Sequence, residues 1–403
     1  MEKARFLDRR TPPVLATLVL SAGLSALAMN IFLPSLPRMA DWFGVSYGVM
    51  QQSVPLYLAL SAALQIVIGP LSDRYGRRRV LLVALVLFLI STAGTLLALN
   101  ATVFLICRMA QAVIAAGMVL SRAIVRDITS DAEAASMIGY VTMGMSLVPM
   151  VGPVIGGWLD DMVGWQANFA LLLVLGLGVL ALVWADLGET ADLRNVSILA
   201  QLKEYPVLLT SPRFWGYAGA AAFSSGCFFA YLGGAPFVGT EVYHLSSSKV
   251  GALFALTAVG YAAGNFLAGR FSVRVGLNRM ILIGCSVTTA GLAVLALLTA
   301  AGLSGPVLFF GLTIFMGLGN GIALPNANAG ILSVRPEVAG AASGLGGALM
   351  IGGGAALASL AGWLLGAEST EMPLVLLMLG SSVASVLAIL LVIRRTRALS
   401  GVF

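Results

Sequence analysis

A single ionisable side chain lies deep inside an apolar run of this sequence. Arg108 occupies the stretch Leu-Ile-Cys-Arg-Met-Ala-Gln at 105–111, which ends well before the next arginine, Arg122. The two arginines are separated by about 21 Å of helix. A guanidinium at such a depth must face a water-filled cavity or donate hydrogen bonds to oxygen atoms. We therefore predict that Arg108 takes part in substrate binding and in coupling. The alternative is a structural arginine tied to backbone carbonyls.

Carboxylates are expected to be absent from the middle of the membrane. All of the 17 aspartates and glutamates fall in predicted loops or at predicted helix ends. The first apolar run instead carries Asn30, just before a break predicted at Pro34 and Pro37. An amide donates and accepts hydrogen bonds but does not titrate. Asn30 is therefore a candidate for substrate binding, and equally for filling the backbone gap that the prolines leave.

Further candidates for a binding cavity carry an aromatic ring, a flexible thioether or an amide on an apolar segment. Such side chains suit an oily, adaptable cavity, although each one could serve helix packing instead. Together with Arg108, the predicted substrate-binding residues are Asn30, Tyr57, Gln65, Gln111, Met143, Phe223, Phe228, Tyr231, Tyr261 and Asn320.

A gating element is predicted where prolines and glycines concentrate, at residues 148–157. Prolines bend a helix, and glycines let a neighbouring helix approach closely. We predict that Gly152, Pro153, Gly156 and Gly157 let the outer halves of two domains close without a leak. The alternative is a kinked helix with no gating role.

These residues must be positioned by membrane-spanning helices. The chain is 59% hydrophobic and only 10% charged, whereas a soluble protein has about 25% charged residues. Hydropathy predicts an all-α membrane protein with twelve transmembrane helices in two pseudo-symmetric bundles, residues 1–186 and 213–403, joined by a cytoplasmic linker at 187–212. The predicted spans are 14–37, 49–70, 79–98, 101–122, 135–159, 165–186, 213–239, 249–270, 279–300, 305–328, 338–364 and 372–393.

An internal repeat supports the two-bundle organisation. Residues 69–79 form a basic loop between two spans, and part of that pattern returns 200 residues later, at 269–279. Asp73 of the first copy is replaced by Val273 in the second. A repeat of half the chain length between apolar spans is typical of a transporter built from two similar halves. A purely topogenic role for the loop is the alternative.

The placement of the basic residues predicts the orientation of the chain. All but three of the 23 lysines and arginines lie on the side that carries both termini; Arg38 and Lys249 are on the other side, and Arg108 is inside a span. The positive-inside rule makes that side, and both termini, cytoplasmic. The net charge of +6 therefore does not indicate nucleic-acid binding. We expect no cleavable signal peptide, and the three cysteines read as buried apolar residues.

Together these motifs resemble the major facilitator superfamily. Within it they resemble the twelve-helix drug:proton antiporters of the bicyclomycin-resistance and chloramphenicol-efflux (Bcr/CflA) branch. The segment 69–79 is similar to the loop 2–3 signature, 105–117 to the helix-4 signature with Ala112 in place of glycine, and 152–157 to the antiporter signature. More branch-specific stretches are 121–128, 164–169 and 325–328.

The resemblance implies rocker-switch alternating access in a multi-pass protein of the bacterial inner membrane. It also implies that Asp73 and Arg77 help to hold the outward-facing state, with Asp127 or nearby charges as partners. The branch generally has an aspartate where Asn30 stands. Either protons couple elsewhere, through Arg108 and its neighbours, or the usual coupling is lost, or the amide is a substitution that traps one state.

The first functional hypothesis is proton-coupled efflux of small amphipathic drugs or metabolites. A cavity with an arginine and no carboxylate should disfavour lipophilic cations, so neutral or weakly anionic substrates are expected. The second hypothesis is a specific metabolite carrier on the same fold, with altered or no proton coupling. An enzyme is not expected, because no paired acids, Cys/His clusters or phosphate-binding loops occur. We expect no metal or cofactor, and a monomer suffices.

Overall fold

The computed structural model describes residues 5–128, 148, 151–191, 205–335, 339–365 and 370–400. All regular structure in these ranges is helical, and eleven of the helices are long and apolar enough to cross a membrane. This confirms the all-α, multi-span prediction. Only the end of the predicted fifth span, 151–163, is described, and it is helical.

We number the spans α1 to α12 in chain order. The described part of α5 is 151–163. The other bounds are α1 Leu15–Phe43, α2 Tyr47–Tyr75, α3 Arg77–Leu96, α4 Ala101–Val125, α6 Gln166–Asp186, α7 Pro212–Val242, α8 Ser247–Val275, α9 Leu277–Ala300, α10 Pro306–Ser333, α11 Ala339–Leu364 and α12 Met372–Ser400. A short linker helix, Tyr205–Leu209, precedes α7. The remainder of the linker, 192–204, lies outside the described residues, and the division into two bundles stays a prediction.

The loop signature is much shorter in the structure than its sequence suggests. The helices α2 and α3 are separated by one residue, Gly76, whose φ of 96° lies in the left-handed region that favours glycine. Gly276 separates α8 and α9 in the same way, with a φ of 89°. In both copies the glycine N–H donates to the carbonyl of a serine four residues earlier, Ser72 or Ser272, at 2.9 Å. The 200-residue repeat is therefore visible as a repeated backbone geometry.

Two helices are interrupted at the depth of the candidate site. The first segment of α1 ends at Asn30 and is followed by a 3₁₀ turn, Leu33–Ser35, which contains the first of the two prolines. The predicted break near Asn30 is therefore present. The sequence does not predict the interruption of α4, where a 3₁₀ turn, Gln111–Ile114, follows directly after the helical turn of Arg108.

Candidate functional site

Arg108 lies in a closed aromatic pocket between α1, α2 and α4. The side chain has no exposed surface. Its guanidinium carbon lies 3.8 Å from the ring centroid of Tyr57 and 4.5 Å from that of Phe32. Contacts of this kind between a cation and aromatic ring faces are attractive, and more so when water is excluded. The structure thus places Arg108 inside the protein and not against lipid.

A short polar chain continues from the arginine. Its Nη1 donates to Oε1 of Gln111 at 2.9 Å, and Nε2 of Gln111 donates to Oγ1 of Thr92 at 2.8 Å. The 3₁₀ turn of α4 carries Gln111 and so helps to set its position relative to Arg108. Of the three residues, only Thr92 is missing from the sequence-based candidates. It lies on α3, and no sequence signal relates it to Arg108.

The charge of Arg108 is not neutralised within the described part of the chain. No ion pair involves it, and its Nε and Nη2 atoms have no hydrogen-bond partner there. A buried guanidinium with unused donors is unfavourable, because each donor has lost water without gaining another acceptor. The pocket therefore holds a cation with donors for an acceptor that the described residues do not supply.

Asn30 is two residues from Phe32 of this pocket, but its amide bonds to the backbone of its own helix. The residue is 1% exposed, and its Nδ2 donates to the carbonyl of Ala26 at 3.0 Å, within α1. Its Oδ1 has no partner among the described residues. The geometry favours the alternative that the sequence left open, in which the amide bonds to the backbone next to the helix break.

The candidates on the C-terminal half do not join Arg108 in one site. Tyr231 is buried in an aromatic cluster with Phe254, Phe309 and Phe310, and Asn320 accepts a hydrogen bond from Ser224 at 2.5 Å between α7 and α10. The other described candidates of this half are less enclosed: Phe228 and Tyr261 are partly buried, and Phe223 is 41% exposed. Gln65, on α2 of the N-terminal half, is also partly buried. Met143 lies outside the described residues.

The glycines of α5 lie where helices make very close contact. A Cβ atom at Gly156 would overlap the carbonyl oxygen of Ile31 on α1, and one at Gly157 would overlap that of Ser247 on α8. From the opposite side, a Cβ atom at Gly251 of α8 would overlap the carbonyl oxygen of Pro153. The end of α5 thus packs backbone to backbone against both halves, which larger residues would prevent.

Polar contacts surround the same contact between the halves. The Tyr47 hydroxyl donates to the carbonyl of Gly233 at 2.6 Å, and Nε2 of Gln51 donates to that of Ala358 at 2.7 Å. At the opposite ends of α2 and α11, a Cβ atom added at Gly69 or Gly344 would meet nothing within 4 Å. The close contacts between the two halves of the sequence therefore lie at one end, which we call the closed end, where α2 begins and the described part of α5 ends.

Two neighbouring aspartates at the closed end differ in environment. Asp160 and Asp161 follow directly after the predicted span 135–159, and Arg38 approaches both carboxylates, at 3.3 and 3.2 Å. Burial raises the pKa of Asp160, and Ser247, Arg38 and Ser35 offset this only in part. Burial acts in the same direction on Asp161, but hydrogen bonds from Ser248 and the charge of Arg38 outweigh it and lower the pKa.

The loop signature forms an ion-pair network at the other end of the N-terminal half. Arg77 lies 2.5 Å from a carboxylate oxygen of Asp73 and donates from Nε to Asp127 at 3.1 Å. The backbone N–H of Arg77 donates to Glu189 at 2.7 Å, and Arg78 donates to the carbonyl of Leu187. The structure therefore brings together Asp73, Arg77 and Asp127 and ties them to the end of α6.

One buried carboxylate has a structural role that the sequence does not indicate. Asp186 ends α6 and is 0% exposed. Its carboxylate accepts hydrogen bonds from the backbone of Leu7 and Val14 and from the Thr17 hydroxyl, at 2.9, 3.0 and 2.6 Å. It thereby satisfies donors at the start of α1, where a negative charge is favourable.

Comparison with known proteins agrees with this architecture. The Major Facilitator Superfamily description matches residues 18–359 and 240–402. The chain is 31% identical over 322 residues to the chloramphenicol resistance protein of Pseudomonas aeruginosa, covering 79% of this chain and 76% of the relative. It is 28% identical over 386 residues to the bicyclomycin resistance protein homolog of Haemophilus influenzae (strain ATCC 51907 / DSM 11121 / KW20 / Rd), covering 92% and 94%.

A solved structure shares the fold. A bacterial homolog of the human lysosomal transporter Spinster, in an inward-facing and occupied conformation, superposes with a TM-score of 0.70 at 19% identity. The superposition covers 95% of this chain and 96% of that one. The chain belongs to the major facilitator superfamily, a family of transporters. The relatives also confirm the resemblance to the Bcr/CflA branch.

Proposed function

We propose that the chain exports small amphipathic compounds across the bacterial inner membrane by alternating access. The observation that carries the proposal is Arg108, a buried cation in an aromatic pocket with two donors that no described residue uses. A substrate bearing a carbonyl, nitro or carboxylate oxygen could satisfy those donors when the surrounding helices separate. The names of the two resistance-protein relatives agree with drug efflux as the task.

The same pocket supports a preference for neutral or weakly anionic substrates. A lipophilic cation would meet an unneutralised guanidinium and would lose its own hydration without a partner. An acceptor on the substrate would gain charge-assisted hydrogen bonds, which are stronger than neutral ones. The aromatic rings of Phe32 and Tyr57 would offer apolar surface to the rest of the molecule.

Proton coupling is part of the proposal, with Arg108 and its neighbours in place of the missing acid at position 30. The distribution of arginines supports cytoplasmic termini, and in this orientation the closed end of the structure faces outwards and the opposite end faces inwards. A carrier for one metabolite, without proton coupling, is the second candidate. It is favoured by Asn30, whose amide cannot titrate and whose Nδ2 is bonded to Ala26.

Transport in proteoliposomes tests the proposal. Arg108→Ala should reduce transport of chloramphenicol, used as a neutral probe, by about tenfold to a hundredfold, the effect of losing a charged hydrogen-bond donor. Arg274→Ala, an exposed arginine at the end of α8, is the matched control and should transport normally. The proposal is wrong if tetraphenylphosphonium is the best substrate or if Arg108→Ala transports like the parent.

Proton flux separates the two candidates. An exporter that couples protons through Arg108 should change the pH inside the proteoliposomes when substrate is transported. Arg108→Ala should abolish this pH change, and Asn30→Asp should strengthen it. A specific carrier should transport one compound of a broad panel and show no proton flux in the parent. If neither substitution changes the flux of a coupled parent, Arg108 and position 30 are not the coupling site.

A further inference from the structure

A large groove lies on the C-terminal half, away from Arg108. Its floor is the first part of α7, and α11 and α12 form its sides. The groove has a volume of about 1370 Å³ and is open on one side. Drug-sized sites occupy about 300–1,000 Å³, so this groove exceeds what a single small molecule fills.

The lining of the groove is apolar along most of its length. Trp215, Phe223 and Leu391 are 47%, 41% and 63% exposed. On the α11 side, Gly352 and Gly353 have no side chains that would fill the groove. An exposed apolar surface of this size is typical of a membrane-interaction or ligand-binding site, and it suits lipid chains better than water. The occupant must therefore present a long apolar part.

One end of the groove is basic. Arg394 and Arg395 belong to its lining, at the end of α12 that carries the C terminus, and both are exposed. Trp215 lies toward the same end, and its Nε1 donates to the carbonyl of Leu209 at 2.8 Å. Tryptophan and arginine are the side chains that anchor at the level of lipid head groups. The groove is thus apolar along its length and cationic at its mouth.

The wider surface at this end is also basic. Arg270, Arg274 and Arg279 are at the same end of α8 and α9. The described carboxylates of the C-terminal half, Glu241 and Glu371, are near the other end, where α7 ends and α12 begins. Glu337, the acid expected at the basic end from sequence, lies outside the described residues. The charge is complementary to an anionic head group and offers less to a zwitterionic one.

We propose that this α7–α11–α12 groove binds one anionic phospholipid of the cytoplasmic leaflet, with its phosphate at Arg394 and Arg395 and its acyl chains along α7. Such a site is separate from the Arg108 pocket. The size of the groove, its apolar length and its basic mouth together match a two-chain anionic amphiphile.

Native mass spectrometry of the full chain with added phosphatidylglycerol or phosphatidylcholine tests the site. Each arginine near the membrane surface strengthens anionic lipid binding about fivefold, so Arg394→Gln with Arg395→Gln should weaken phosphatidylglycerol binding about 25-fold. Phosphatidylcholine binding should be unchanged. The matched control, Arg270→Gln with Arg274→Gln, removes the same charge from the same end but outside the groove and should bind phosphatidylglycerol like the parent.

A second pair of variants tests the apolar part of the groove. Gly352→Leu, at a position with open space for a side chain, should reduce binding of both lipids. Gly344→Leu on the same helix also has open space but is not part of the lining, and it should bind both normally. Equal binding of the two lipids by the parent overturns the proposal. So does a loss with the control arginines alone, or a groove filled by a lipophilic drug that phosphatidylglycerol does not displace.

Discussion

Within the described residues, the guanidinium of Arg108 is held in place without a counter-ion. Its ring contacts with Tyr57 and Phe32 and its bond to Gln111 recover part of the hydration that it lost on burial. Two donor atoms remain unused in the described structure. A folded protein tolerates such a group where function requires it, so the arginine should stabilise a transport intermediate more than the resting fold.

Replacing this arginine should therefore separate stability from function. Arg108→Met keeps much of the side-chain volume and removes a buried charge that is unfavourable without a paired counter-ion. We expect the variant to unfold at the same or a higher temperature than the parent in detergent, yet to transport poorly. Arg274→Met, at an exposed position, should change neither property. A strongly destabilised Arg108→Met would show that the arginine is primarily structural.

At the scale of single residues, the sequence predicts burial better than it predicts partners. The burial of Arg108 follows directly from its position in an apolar run, and Tyr57 and Gln111 are among the candidates. The contact between Gln111 and Thr92 does not follow, because it depends on how α3 is rotated against α4. The buried carboxylates Asp160 and Asp186 are also missed, since a position at a helix end predicts solvation.

At the scale of helices, the closed end combines backbone contact with one buried carboxylate. Gly156 and Gly157 allow α5 to touch α1 and α8, and Asp160 follows three residues later on the same helix. When this end opens, Asp160 should become exposed and its pKa should return toward the ordinary value of about 3.9. Opening and protonation of Asp160 are therefore linked.

This linkage predicts that a lower pH favours the closed state over the open one. Burial raises the pKa of Asp160 in the closed arrangement, so the closed state binds more protons than the open one between the ordinary pKa and the raised one. The population ratio of closed to open should rise as the pH falls through this window, by at most about tenfold per pH unit for one proton. Asp161 acts oppositely, but its pKa is lowered, so its contribution falls below this window.

Distances between spin labels at positions 42 and 249, both exposed at the closed end, would measure this ratio in a variant without the native cysteines. Asp160→Asn should remove the pH dependence, whereas Asp161→Asn should retain it above pH 4, roughly the ordinary pKa of a carboxyl group. The charged groups facing Asp160 are Arg38 and Asp161, and the hydroxyls are those of Ser35 and Ser247. A pH response that persists in Asp160→Asn would exclude this carboxylate as its source.

Helix positions are predicted well here because hydrophobic spans of this length have few alternatives in a bilayer. The described helices coincide with the predicted spans but extend farther at their polar ends, as in α2, which continues through the basic signature to Tyr75. The cause is that charged residues stop a membrane span without stopping a helix. The 3₁₀ turn in α4 is not predicted, since Gln111–Ile114 contains no proline or glycine.

At the scale of the whole molecule, the two halves share a backbone plan but not their charges. Gly76 and Gly276 make the same one-residue turn. The ion pairs of Asp73 and Arg77 have no counterpart at Val273 and Leu277, and Val273 is 95% exposed. The repeat thus predicts the shared architecture, whereas the ion pairs of the loop signature belong to the N-terminal half. How the halves are tilted against each other is not encoded in any local pattern, because it depends on the transport state.

Locking the closed end should stop transport if the halves rock against each other. A Cβ atom at Gly48 of α2 would lie 3.6 Å from the carbonyl oxygen of Gly362 on α11, so Gly48→Cys with Gly362→Cys brings two thiols from different halves together. The flexible side chain of Gln51 must move to make room. In a background without native cysteines, oxidation should lower transport to below about a tenth, and a reductant should restore it.

The control for this disulfide lies within one half. A Cβ atom at Gly219 of α7 would lie 3.5 Å from Cβ of Ala388 on α12, so Gly219→Cys with Ala388→Cys offers a comparable bond without joining the halves. Its oxidation should leave transport largely intact, because α7 and α12 belong to the same predicted bundle. The comparison requires that both disulfides form. If the α2–α11 disulfide then does not arrest transport, the contact between Gly48 and Gly362 does not open during the transport cycle. Rocker-switch alternating access would then be the wrong mechanism for this protein.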